Sequence, residues 1–184
     1  MLKNLWTITV ITSILVLSQR YLPNQLGSIF RPQNPQPISN SQDESQPTNM
    51  AQTAPFSDLE KLTHQKVNEY RASKNLPPLE FSAQISQQSR IHSQAMAEGK
   101  VAFSHAGFEQ RAEKLSQPIP YREIAENVAY NSGYSNPAAE AVEGWIDSSG
   151  HRKNMEGNYN LTGIGIAKNS AGEYYFTQIF IRSR

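Results

Sequence analysis

The apolar and polar positions divide the chain into three stretches. Leu5 to Leu17 carries no charge over 13 residues and follows a basic start at Lys3. That length suits the core of an export signal and falls short of the roughly 20 residues a membrane-crossing helix needs. Ser18-Gln19-Arg20-Tyr21 makes a poor cleavage site. Residues 1–22 therefore read as a signal peptide or as an uncleaved signal anchor, with Trp6 and Tyr21 at the two interfaces. Residues 23–55 lose the apolar pattern altogether. Twenty of these 33 residues are Pro, Gln, Ser or Asn, too few apolar groups to offset the entropy of ordering, so a disordered tether is expected.

From Phe56 the periodicity returns, and residues 56–184 read as one domain. Ser57-Asp58-Leu59-Glu60 has the spacing of a capping box. Leu59, Leu62, Val67 and Tyr70 then follow a helical stripe that should end near Lys74-Asn75, before Pro77-Pro78. Ser82 caps a second helix over about 83–98, with Ile85, Ser89, His92 and Met96 on one face and Gly99 as its stop. A short helix is expected at 109–115 and an extended segment at 123–130. Asn136-Pro137 opens a further helix whose Ala138, Ala141, Val142 and Trp145 fall at i, i+3, i+4 and i+7. Its end at Ser148-Ser149-Gly150 predicts a turn with a left-handed glycine cap and an exposed His151 just beyond. Leu161–Lys168 and Tyr174–Arg182 read as two strands of a hairpin, with Gly163 and Gly165 marking a close backbone approach. Helices interspersed with late strands predict an α+β fold, with helices flanking an antiparallel sheet.

Charge and composition narrow the chemistry. From Phe56 onward there are 14 basic and 14 acidic residues, which argues against a nucleic-acid binder. No cysteine is present, so thiol nucleophiles, thiolate metal sites and disulfides are excluded. A domain of roughly 130 residues is large enough to stand on its core alone.

Three stretches carry matching chemistry: Phe103-Ser104-His105-Ala106-Gly107, Ile124-Ala125-Glu126-Asn127-Val128 and Trp145 to Asn154. Together with Leu-Thr-Gly-Ile-Gly-Ile-Ala at 161–167 and Tyr-Tyr-Phe-Thr-Gln-Ile-Phe at 174–180, their order resembles the bacterial branch of the CAP superfamily, also called the SCP domain. The resemblance runs from about Leu59 to Ile181 and includes Asn68 and Arg71 of the first helix. It implies a three-layer α-β-α sandwich whose central cleft holds two histidines and acidic residues. Carried over, those are His105, Glu126 and His151, with Asn127 and Arg152 beside them. A further family acid would fall at Ser148; Asp147, one residue away, is a candidate substitute. Arg152 is expected to pair with Glu126 or Asp147, and the Gln178 amide to satisfy buried backbone near the cleft.

Two imidazoles and a carboxylate suit zinc or another divalent metal, held loosely with a position open to water. The equally weighted alternative is that His105 and His151 tie two loops together through Glu126. The leading expectation is a secreted, extracellular or periplasmic binding module, tethered to the membrane if residues 1–22 are retained. By resemblance its ligand is a small molecule, a lipid or a cell-envelope component. A metal- or serine-dependent hydrolase of peptides or envelope polymers competes, with Ser104, Ser148 or Ser149 as nucleophile. No G-x-S-x-G elbow supports it. A purely structural surface protein is the third class.

Overall fold

The computed structural model describes residues 57–184 and, as backbone, residues 16–18. The rest of the export segment read over 1–22, and the linker read over 23–55, lie outside the described residues. Val16–Ser18 form a short strand, β1. Helix α1 (Asp58–Ser73) starts where the capping box predicts. Ser57 Oγ accepts the Glu60 amide at 3.2 Å and Glu60 Oε2 accepts the Ser57 amide at 3.0 Å. After α1 come β2 (Glu80–Phe81), α2 (Ala83–Ala97), α3 (Phe108–Ser116), β3 (Tyr121–Asn131), α4 (Pro137–Asp147), α5 (Ser149–Met155), β4 (Leu161–Lys168) and β5 (Tyr174–Ser183).

The strands form one sheet in the order β1-β3-β5-β4-β2. Its pairs are antiparallel except β2 with β4, which run parallel through Glu80–Leu161 and Phe81–Thr162. The parallel strand was not expected, because two residues are too few to show a period of two. Alternation along β5 separates the two cores. Phe176 and Phe180 point to one face, with Ala125, Ala129, Val67, Trp145 and Met155, so α1, α4 and α5 cover that side. Ile179 and Ile181 point to the other, with Ile85, Phe108, Ala112 and Leu115, so α2 and α3 cover it. The α+β, three-layer α-β-α architecture is the one anticipated.

Each layer is locked differently. In α4 the predicted stripe is buried, and Trp145 also donates its indole N–H to the Val128 carbonyl at 3.1 Å. Truncating such a tryptophan costs about 3–5 kcal/mol. On the opposite face α2 rides directly on β4. A Cβ on Gly163 would lie 2.2 Å from the Ser86 nitrogen, and one on Gly165 would lie 2.0 Å from the Arg90 nitrogen. Serine hydroxyls fill this seam: Ser86 to the Ile164 carbonyl, Ser89 to Gly163 and Ser93 to Gly165. The two glycines therefore mark a close approach, as the sequence suggested. Gln178 does not serve backbone as expected; its amide donates to Thr162 Oγ1 at 3.1 Å.

Asn68 and Arg71 of α1 clamp two later segments of backbone. The Asn68 amide exchanges hydrogen bonds with both backbone groups of Leu79. Arg71, almost wholly buried, donates to the carbonyls of Pro77, Met155 and Gly157. Burial pushes its pKa down, yet its charge is met entirely by carbonyl dipoles.

Candidate functional site

Glu126 and Asn127 are consecutive on β3, so their side chains leave the sheet on opposite faces. Both layers therefore meet at this point of the strand. On the α3 side, Glu126 is 0% exposed. Such a carboxylate is tolerable only when its oxygens are met by donors. Arg111 of α3 meets both: Nε reaches Oε2 and Nη2 reaches Oε1, each at 2.8 Å. Its Nη1 also holds the Ala106 carbonyl at 2.8 Å, fixing the loop that carries His105. His105 Nδ1 lies 3.0 Å from Glu126 Oε1. A carboxylate paired to a guanidinium accepts here, so the imidazole proton belongs on Nδ1 and Nε2 keeps the lone pair. That Nε2 is buried and has no hydrogen-bond partner.

On the other face, Asn127 Nδ2 donates to the His151 carbonyl at 3.1 Å, and Asn127 Oδ1 accepts from Asn154 at 2.9 Å. These bonds pin α5 against β3. The ring of His151 comes to 6.4 Å from that of His105, centroid to centroid, tilted by 31°. Groups separated by 21 and 25 residues in sequence thus gather in space, as the resemblance implies. They are not in an open cleft: His105 is 9% exposed and His151 1%.

Several local expectations need correction. No left-handed turn succeeds α4; Gly150 lies inside α5, and the left-handed glycines among the described residues are Gly99, Gly107, Gly133 and Gly172. Ser148 breaks the helical path with extended backbone, so α5 starts afresh and turns His151 inward instead of leaving it exposed. The Ser148 hydroxyl does not cap that helix. It bonds His151 Nδ1 at 2.9 Å. Arg152 pairs with neither Glu126 nor Asp147; its Nη1 donates to the Ile146 carbonyl at 2.6 Å, where the end of α4 offers unpaired carbonyls. Asp147 is exposed and stands outside the network, so it does not replace the missing acid. Ser104 Oγ accepts the Ala106 amide and shapes the loop.

His92 is the buried core histidine expected. Its Nε2 lies 2.8 Å from the Ser104 carbonyl. Burial first, and the nearby Arg111 charge second, push its pKa down, so it stays neutral where a free imidazole would begin to charge. Arg111 was missed in the sequence. Its signal was present: Phe108, Arg111, Ala112 and Leu115 fall at i, i+3, i+4 and i+7, which puts a guanidinium on the apolar face of α3.

The donor set suits a metal in part. His105 offers an oriented, unpartnered Nε2, with the carboxylate behind it that ligating histidines commonly have. Glu126 has both oxygens engaged by Arg111 and His105, so it supports the pair and does not serve as the third ligand anticipated. Among the described residues, no group of three or more His, Cys, Asp or Glu side chains is placed to hold a metal ion. The two imidazoles brought together are those of His105 and His151.

Comparison with known proteins places this arrangement. Residues 64–180 match the profile of the Cysteine-rich secretory protein family, CAP. The chain belongs to that family. It is 32% identical over 119 residues to the "Uncharacterized membrane protein YlbC" of Bacillus subtilis strain 168, a match covering 62% of this chain and 32% of that protein. It is 31% identical over 144 residues to the "Uncharacterized protein YkwD" of the same organism, covering 73% and 52%. The chain thus spans about a third of the length of the first of these curated relatives and about half that of the second. In fold it is similar to an outer surface protein from Borrelia burgdorferi, with a TM-score of 0.57 at 17% identity over 71% of this chain and 97% of that one. An extracellular SCP-domain protein from Bacillus anthracis gives 0.56 at 24% identity, over 71% and 45%. No helix among the described residues is long and apolar enough to cross a membrane.

Proposed function

We propose that this CAP domain is an extracellular binding module whose histidine pair, His105 and His151, takes a divalent transition ion such as zinc. The observation that carries it is His105 Nε2: buried, without a hydrogen-bond partner, and oriented from behind by the Glu126–Arg111 pair. Leaving a buried polar atom unmatched costs about 1–3 kcal/mol, and a metal bond would remove that cost. With only two protein donors the ion would be held loosely and would supply Lewis acidity toward an oxygen of a bound ligand. The ligand class this favours is a small molecule, lipid or cell-envelope component. Residues 1–22 as signal or anchor and 23–55 as tether would present the domain outside the cell. The extracellular and surface descriptions of the structural neighbours support that location.

Titration calorimetry of the chain with zinc tests this. One ion per chain is expected, lost when His105→Ala and His151→Ala are combined. Unchanged affinity in the double variant would leave the histidines as a structural tie. Hydrolysis has one observation in its favour, the Ser148–His151 hydrogen bond. The carboxylate that should orient such a base lies on His105 instead. Turnover of peptides or envelope polymers that vanishes in Ser148→Ala would favour the hydrolase.

A further inference from the structure

The end of the sheet remote from Glu123 carries a cleft that the histidines do not use. It lies between the turn at 132–135 and the hairpin connection at 168–174 and encloses about 760 Å³. We propose that it is a second binding site, for a neutral polyhydroxylated chain, namely an oligosaccharide. The inference goes beyond the metal reading and does not depend on it.

Three features converge. First, the hairpin is fastened far more firmly than a connection requires. Asn169 Oδ1 accepts the amides of Ala171 and Glu173, and Asn169 Nδ2 donates to Glu173 Oε2. Tyr130 and Tyr175, their rings 5.1 Å apart and tilted by 51°, both send their hydroxyls to Glu173. A wall held this way loses little entropy when a ligand arrives. Second, its lining holds rings and hydroxyls, Tyr134 and Tyr174 with Ser132 and Ser135, opened by small residues at Gly133 and Gly172; Lys168 Nζ covers the Tyr174 ring at 4.8 Å, so Tyr134 is the ring offered for stacking. Apolar sugar faces stack on rings, and sugar hydroxyls need donors and acceptors close by. Third, the lining carries one basic and one acidic residue, Lys168 and Glu173, and so no net charge, which disfavours anions such as nucleic acid and free phosphate. A carboxylate offers about four acceptor positions, and the three hydroxyl and amide donors leave Glu173 Oε1 room for another.

Calorimetric titration of the full chain with cellotetraose and with chitotetraose tests the proposal, with a Gly-Ser octapeptide in parallel. Saturable one-site binding of at least one sugar is expected. Tyr134→Ala should weaken it roughly 10-fold, the worth of one aromatic contact, and Tyr134→Phe should restore it. Glu173→Gln, the second variant, should also weaken it, with thermal unfolding confirming that both variants fold. The combined His105→Ala and His151→Ala variant should bind sugar as the parent does, which separates this site from the metal site. No saturable sugar binding, binding of the peptide alone, or sugar affinity untouched by both cleft variants overturns it.

Discussion

Two buried carboxylates among the described residues are each held by an arginine through two nitrogens, Glu60 by Arg90 and Glu126 by Arg111, and the two clamps end differently. Arg90 grips Glu60 through Nε at 2.8 Å and Nη2 at 2.7 Å, and the remaining capacity of Glu60 goes to the backbone amides of Ser57 and Ile166. Arg111 grips Glu126 with the same two-pronged geometry, but there the remaining capacity goes to an imidazole. The first clamp terminates in main chain, so its effect is confined to fastening α1 and α2 to β4. The second terminates in a side chain with a lone pair. Equal pairs of charges thus do unequal work, and the difference lies in the third partner, not in the pair.

The largest expected contrast is in stability. Arg111→Met strands a fully buried carboxylate and should cost about 3–5 kcal/mol in denaturant unfolding. Arg90→Met also leaves a buried carboxylate, but Glu60 keeps the Ser57 and Ile166 amides and the lost guanidinium is partly solvated, so the cost should be smaller, about 1–3 kcal/mol. Equal losses would erase the distinction between the clamps. Zinc affinity should separate them next: Glu126→Gln is expected to weaken binding roughly 10–100-fold, while Glu60→Gln leaves it unchanged. A smaller effect, under about 10-fold, is expected from Ser148→Ala, because a neutral hydroxyl orients His151 less strongly than a carboxylate orients His105. The smallest effect is one of pH. His92 is neutral when folded and has its pKa lowered, so the unfolded chain binds the extra proton first. Stability should be at its plateau above about pH 6.5 and fall as pH drops through the window below it. The slope should flatten in His92→Gln, and an unaltered slope would assign the loss to other groups.

What could be read from the sequence came from chemistry that acts locally. The capping box at Ser57–Glu60, the Asn136-Pro137 start and the Trp145 stripe each declare themselves within one or two helical turns. The gathering of His105, Glu126 and His151 came from motif order, since no local spacing encodes it. The parts that escaped depend on contacts made at a distance. Ser148-Ser149-Gly150 carries turn residues, and contacts made from elsewhere in the chain, from Asn127 to His151 and Asn154 and from Arg71 to Met155, hold the next segment as α5. Arg111 was hidden because a charged residue in a short helix is ordinarily a solvated one, and the apolar spacing around it had to outweigh that expectation. Arg152, the arginine singled out, proved to be a fastener of the preceding helix.

The glycine seam has a reach its position conceals. Gly163 pairs across the sheet with Ile179, and Ile179 pairs with Glu126. One transverse row of the fabric therefore begins under α2 and ends at the carboxylate behind His105. A methyl group at Gly163 would press α2 away from one end of that row, so the seating of a strand that reaches the buried carboxylate rests on a residue with no side chain at all.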